Sequence, residues 1–116
     1  VSSIHAYATS TGMAPYAAAK GGVLTLTKTM ALDLAPDNIR VICIIPGATD
    51  TPMLRQHAER EGKTLAELGF PTSESAIGRI AQPEEVADVI AFALSRGASF
   101  ITGSSLIPDG GILAKF

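Results

Sequence analysis

Hydrophobic and polar positions change their spacing several times along this chain, and each change marks an element. Pro15 to Ala35 reads as one long helix. A proline near the start is tolerated there, because the first N–H groups of a helix have no partner anyway. Pro36 stops the helix, and Pro36-Asp37-Asn38 gives a turn. Gly21 and Gly22 inside the helix should each cost about 1 kcal/mol against alanine. Close approach of another backbone or helix would offset that cost. The run Ile39–Ile45, closed by Pro46-Gly47, predicts a strand buried on both faces, as in a parallel sheet. Thr51 to Glu61 predicts a short helix, with Thr51 as N-cap and Pro52 at its first position. Gly62 to Arg79 is mixed and polar, broken by Gly69, Pro71 and Gly78, and reads as a mobile connection. A second strong helix opens at Pro83-Glu84-Glu85 and runs to about Ser95. Its acidic first turn suits the helix dipole, and Val86, Val89, Ile90 and Ala93 give it one apolar face. After Gly97 and a Thr102-Gly103 turn, Ser104 to Ile107 predicts a short strand ended by Pro108-Asp109-Gly110-Gly111. Val1-Ser2-Ser3 reads as the tail of a first strand.

The order strand, helix, strand, helices, strand implies parallel strands joined by right-handed crossovers. The fold class expected is α/β, a parallel sheet of three strands with crossover helices.

Composition sharpens this picture. The 116 residues suit one domain, yet 47% are hydrophobic and only 17% charged. That apolar excess predicts additional buried interface. A net charge of −2 with no basic cluster argues against nucleic acid and anionic membrane surfaces. Cys43 is the lone cysteine, which excludes an internal disulfide and fits a reducing cytoplasm; its simplest place is a strand core. No apolar run approaches the roughly 20 residues that span a bilayer. The first residue is valine, so the chain is expected to be processed or a piece of something longer.

The candidate chemistry lies in SSIHAYATSTGMAPYAAAKGG, Ser2 to Gly22. Four residues along a helix advance roughly 6 Å and about 40° around the axis, so Tyr16 and Lys20 leave one face. A phenol is by itself a poor base at neutral pH. An ammonium about 5 Å away, at an effective dielectric near 20, favours a phenolate by roughly 3 kcal/mol. Tyr16 thereby becomes a usable general acid or base. A hydroxyl at the carboxyl end of the neighbouring strand, Ser3, would hold the same substrate oxygen, since ligands of open α/β sheets sit at the carboxyl ends of strands. A Tyr-x-x-x-Lys pair also arises by chance on many helices, so the signal depends on the motifs around it. His5 and His57 have no Cys, Asp or Glu at ligand spacing and read as surface or loop residues; no metal is expected. Asp33 and Asp37 read as solvated helix-end charges. Tyr7 follows Ser3 in a loop and either faces substrate or packs the loop. Thr72-Ser73-Glu74-Ser75 reads as a mobile loop.

Ser3 with Tyr16-Ala17-Ala18-Ala19-Lys20 closely resembles the short-chain dehydrogenase/reductase family. Pro46-Gly47-Ala48-Thr49-Asp50-Thr51-Pro52-Met53 resembles its Pro-Gly-x-x-x-Thr loop. Gly78 to Ala87 resembles the opening of its last large helix, and Ile101-Thr102-Gly103 with Asp109-Gly110-Gly111 its closing strand. The resemblance covers essentially the whole chain, in order. It implies hydride transfer between NAD or NADP and a secondary alcohol or ketone. Tyr16 would be the acid/base, Lys20 would bind the nicotinamide ribose, and Ser3 would orient the substrate oxygen. Pro46, Gly47 and Thr49 would line the nicotinamide, and the Thr51 hydroxyl would reach its carboxamide or the phosphates. Ile42 stands where the family often has an asparagine, and Thr72 to Ser75 would belong to a lid over the substrate.

The family's Gly-rich pyrophosphate turn has no counterpart, so the resemblance implies that residues 1–116 form the C-terminal half of such a domain, the C-terminal part of a Rossmann-like doubly wound parallel sheet, the N-terminal dinucleotide-binding half being absent. An open sheet edge and uncovered helix faces would then favour a homo-oligomer, a dimer or tetramer. A second reading makes the chain only an oligomerisation module, pairing through the Gly21-Gly22 helix and the helix from Pro83. A third makes it an unrelated α/β binding domain in which Tyr16 and Lys20 are coincidental; the ordered motifs weigh against it.

Overall fold

A computed structural model describes residues 1–65 and 75–115. Gly69, Pro71 and the Thr72–Glu74 part of the candidate lid lie outside the described residues. Three helices carry the fold: α1, Ala14–Leu34; α2, Pro52–Arg60; and α3, Pro83–Leu94. Each begins within one residue of its expected start, and each has a proline in its first turn. Thr51 caps α2 as expected, its Oγ1 accepting the Leu54 N–H at 3.3 Å. Bidentate pairing of Arg55 with Asp50, at 2.6 and 2.8 Å, braces the same turn. α1 passes into a 3-10 turn, Ala35–Asp37, closed by Asn38 in the left-handed conformation at φ 57°. An asparagine tolerates that conformation better than most residues.

Among the described residues the sheet is two-stranded rather than three-stranded. β1, Cys43–Ile44, runs parallel to β2, Ser105–Leu106, with Cys43 opposite Ser105 and Ile44 opposite Leu106. Both strands are shorter than the runs 39–45 and 104–107 expected of them. Evenly spaced bonds still tie Cys43 N–H to Ser104 O, Ile45 N–H to Leu106 O and Gly47 N–H to Pro108 O, at 2.8–3.1 Å. At the amino end the Val41 N–H turns instead to the Thr102 side-chain hydroxyl, at 3.0 Å, while Val41 O still accepts the Gly103 N–H at 2.8 Å, so the regular ladder gives way to an irregular pairing.

The opening segment lies along the other edge of β1 without becoming a strand. Ser2 N–H donates to Ile44 O at 2.8 Å and Ile4 N–H to Pro46 O at 3.2 Å. A parallel ladder needs a return bond from each partner. Pro46 has no N–H to give, so the pairing stays one-sided. The crossover from β1 to β2 runs through α2 and α3, as the element order requires. These elements make a Rossmann-like α/β arrangement.

The core is Cys43, Ile44 and Ile45, closed by Ala31 of α1, Ala93 of α3, Ala58, Ala98 and Ile112, all buried. On α3 the residues expected to face inward, Val86, Val89, Ile90 and Ala93, are half-buried or buried, while Glu84, Glu85 and Asp88 are exposed. α1 behaves differently. Thr27 and Ala31 are buried, but Leu26 and Leu32 remain 55% and 78% exposed. Gly21 and Gly22 contradict the expectation of a close neighbour: a Cβ built on either meets nothing within 4 Å. No described residue offsets their helix cost. With its radius of gyration of 15.3 Å, the chain is wider than the roughly 13 Å of a packed domain this long. Among the described residues, no helix is long and apolar enough to cross a membrane.

Two polar devices hold α3. Arg40, from the segment before β1, sends Nη1 to Ala93 O at 2.9 Å and Ile101 O at 3.4 Å, and Nη2 to Ser95 O at 3.5 Å. A cation there satisfies orphan carbonyls at the negative end of the helix. At the other end Glu85 accepts the Gln82 N–H at 2.8 Å and is gripped by both Arg79 Nη atoms at 2.7 Å. The Arg79 hydrogen bonds, then the Gln82 N–H, lower the Glu85 carboxyl from 4.5 to about 2.

Arg40→Met keeps the aliphatic stem and removes these bonds, so it should lower unfolding free energy by about 1–3 kcal/mol in urea titration; an unchanged midpoint would show the carbonyls need no cation. For Glu85 the folded carboxyl is the stronger acid, so its stabilisation is complete above pH 4.5 and disappears as pH falls through about 2. Urea midpoints of the parent and Glu85→Gln should therefore differ at pH 6 and converge near pH 2. A gap that persists at the acid end would contradict this.

Candidate active site

The opening segment and the start of α1 are bound to each other by side chains. Ser2 Oγ donates to Lys20 O at 2.7 Å. Lys20 Nζ returns to Val1 O at 3.2 Å. These two bonds, with the two from Ser2 and Ile4 to β1, fix residues 1–4 between α1 and the carboxyl end of β1. Ser3 is buried there, and its Oγ accepts the His5 N–H at 3.3 Å, capping a 3-10 turn over Ile4–Ala6. That turn packs against α1.

Tyr16 lies in the first turn of α1 and Lys20 one turn on, both half-buried. The Lys20 ammonium stands over the Tyr16 ring, 5.6 Å from its centroid. The expected convergence on one helix face is therefore present. Tyr16 also meets the His5 ring edge to face, centroids 5.6 Å apart and planes at 82°. Reading the sequence missed this contact, because His5 was judged only for metal spacing. The available signal was its place two residues after Ser3, in a turn obliged to fold back toward the helix.

Pro46 and Gly47 stand at the carboxyl end of β1, and Ile4 N–H to Pro46 O joins them to the Ser3 segment. Gly47 is required by its surroundings. A Cβ there would stand 2.8 Å from the Asp109 Cα and 3.0 Å from its carbonyl oxygen. Asp109 holds the facing loop itself, accepting the Gly111 and Leu113 N–H groups at 2.8 Å each. Thr49 donates to Gly47 O at 3.2 Å and bridges to Ala81. Thr51 stands at the start of α2. Neither threonine shares a hydrogen bond or ring contact with Ser3, Tyr16 or Lys20 among the described residues. Structure thus brings Tyr16 and Lys20 together, ties Lys20 to Val1 and Ser2 beside Ser3, ties Pro46 to Ile4 on its other side, and leaves Thr49 and Thr51 on the adjoining loop.

Two hollows flank this end of the sheet. One, of about 370 Å³, is lined by Tyr7, Ala8, Ile107 and Leu113. The other, about 140 Å³, includes Ala48, Arg79, Glu85 and Asp109 in its wall. Ser75 stabilises the loop above the second: its buried hydroxyl donates to Arg79 O and accepts the Gly78 and Arg79 N–H groups, at 2.9–3.2 Å.

The family model described as enoyl-(acyl carrier protein) reductase matches residues 1–113. Cyclopentanol dehydrogenase of Comamonas testosteroni is 46% identical over 115 residues, covering 99% of this chain and 44% of that protein. Cyclohexanol dehydrogenase of an Acinetobacter species is 44% identical over 100 residues, 86% of this chain and 36% of the relative. Among solved structures, ligand-free aldohexose dehydrogenase of Thermoplasma acidophilum superposes with a TM-score of 0.88 at 38% identity, over 97% of this chain and 46% of that one. The chain belongs to the short-chain dehydrogenase/reductase family. It spans less than half the length of these curated relatives.

Gly47→Ala should cost about 1–3 kcal/mol, the usual penalty for overpacking against backbone. Urea unfolding measures it, and a variant as stable as the parent would show that the two loops do not meet as described.

Proposed function

We propose that this chain forms the proton-transfer part of an NAD- or NADP-dependent oxidoreductase acting on a secondary alcohol or its ketone. The observation that carries this reading is the Lys20 ammonium held 5.6 Å from the Tyr16 ring on a helix start to which the Ser3 segment is bound. Tyr16 Oη gives a proton to the ketone oxygen in reduction and takes it back from the alcohol in oxidation. Ser3 Oγ orients the substrate oxygen.

The donors present suit a nicotinamide nucleotide. Lys20 Nζ has three N–H bonds, of which the interaction with Val1 O uses one; the others serve ribose hydroxyls. Thr51 Oγ1 accepts its cap bond and keeps its own proton to give to a carboxamide or phosphate. Pro46, Gly47 and Thr49 line the nicotinamide side. The cofactor, when bound, supplies hydride exchange with the substrate carbon.

The substrate we favour is a small, uncharged cyclic alcohol. Two relatives are named for cyclopentanol and cyclohexanol, and the 370 Å³ hollow beside the Ile4–Ala6 turn is walled by Tyr7, Ala8, Ile107 and Leu113. A cytoplasmic setting and a homo-oligomer complete the reading. Exposed Leu26 and Leu32 on α1, and Leu94 and Phe100 around the end of α3, support the latter. The same exposure favours the second reading, an assembly module without turnover.

Quenching of NADH and NADPH fluorescence separates the two: a folded chain that binds neither is an assembly module. With cyclopentanol as substrate, Tyr16→Phe should lose at least about a hundredfold in turnover, the scale of a positioned acid/base. A variant as fast as the parent would refute the assignment of Tyr16.

A further inference from the structure

We infer that His5 is a positioning residue that ties the Ser3 hydroxyl to the Tyr16 phenol; this rests on the reading just given. His5 touches both groups at once. Its backbone N–H donates to Ser3 Oγ at 3.3 Å, and its ring meets the Tyr16 ring edge to face at 5.6 Å and 82°. The ring is itself anchored, since Nδ1 and Thr9 Oγ1 share a hydrogen bond at 3.0 Å. The 3-10 turn leaves the backbone little slack: Ala6 N–H reaches Ser3 O and Tyr7 N–H reaches Ile4 O, each at 2.9 Å.

Edge-to-face packing constrains the orientation of an aromatic ring, not only its position. Tyr16 in the first turn of α1 has the Lys20 ammonium over its ring and the His5 ring against it. Rotation of the phenol about its side-chain bonds would break one or both contacts. The Ser3 side chain is held on the same turn as His5, so a shift of that turn moves Ser3 and the support of Tyr16 together. His5 does not exchange a proton with substrate in this account. It sets the separation and angle at which two hydroxyls address one substrate oxygen, a geometry to which rates are steeply sensitive.

The chain has two tyrosines, Tyr7 and Tyr16, so a sample labelled with carbon-13 only in tyrosine rings gives two sets of ring resonances, assigned with Tyr7→Phe. His5→Ala should move the Tyr16 resonances, His5→Phe should return them toward the parent, and Thr9→Val should move them part of the way. In cyclopentanol oxidation His5→Ala should lower kcat by about tenfold to a hundredfold, with KM for the cofactor unchanged and kcat restored in His5→Phe. If His5→Ala fails to fold, the His5→Phe and Thr9→Val spectra carry the test. Tyr16 resonances that coincide with the parent in His5→Ala, or in Thr9→Val should His5→Ala not fold, would overturn the assignment. So would a parent-like kcat in His5→Ala beside a Tyr16→Phe variant that has lost turnover. Full turnover in Tyr16→Phe would instead remove the acid/base reading, and the spectra would still decide whether His5 orients that ring.

Discussion

The arrangement of this molecule depends on a reciprocal pair of hydrogen bonds between its first residues and its longest helix. Ser2 Oγ donates a hydrogen bond to Lys20 O, and Lys20 Nζ donates one to Val1 O. The lysine that stands over the Tyr16 ring is thus also the residue that fastens the opening segment. Hydrogen bonds involving a charged group are stronger than neutral ones, and here one fastens the opening segment to α1. Once residues 1–4 are fixed along α1, their N–H groups meet the carbonyls of Ile44 and Pro46. Helix start, buried serine and carboxyl end of β1 then share one corner of the fold.

Punctuation residues made the helices readable. Pro36 and Asn38 close α1, Thr51-Pro52 opens α2, and Pro83-Glu84-Glu85 opens α3, each through backbone chemistry that acts within a turn. Strands were harder because a ladder belongs to two segments. The run from Ile39 to Ile45 has strand composition throughout, yet its regular pairing begins only past the Thr102 hydroxyl, which intercepts the Val41 N–H. Pro46, legible as a strand terminator, also denies the opening segment its return bond. Neither fact can be inferred from one segment alone. Arg40 shows the same principle: its bonds to Ala93 and Ser95 join positions more than 50 residues apart, and nothing local announces them.

The candidate site was legible to the extent that it is helical. Tyr16 and Lys20 share a face because four residues nearly complete a turn. Ser3 was expected at the carboxyl end of a strand, but the bonds that bring its segment to α1 are tertiary and have no local signal. His5 escaped because its partners, Ser3, Thr9 and Tyr16, are polar groups and a ring rather than metal ligands. Gly21 and Gly22 raised a question that the described residues leave standing as an open surface, next to exposed Leu26 and Leu32 on the same helix.

The most direct test is whether the Lys20 side chain lies over the Tyr16 ring in solution. Nuclear Overhauser spectra of the 116-residue chain should show cross-peaks between the terminal methylene protons of Lys20 and the ring protons of Tyr16. Those methylene signals should also be displaced by the ring current, and lose the displacement in Tyr16→Leu. Lysine signals with no cross-peak to the ring, and the same position in parent and Tyr16→Leu, would contradict the account.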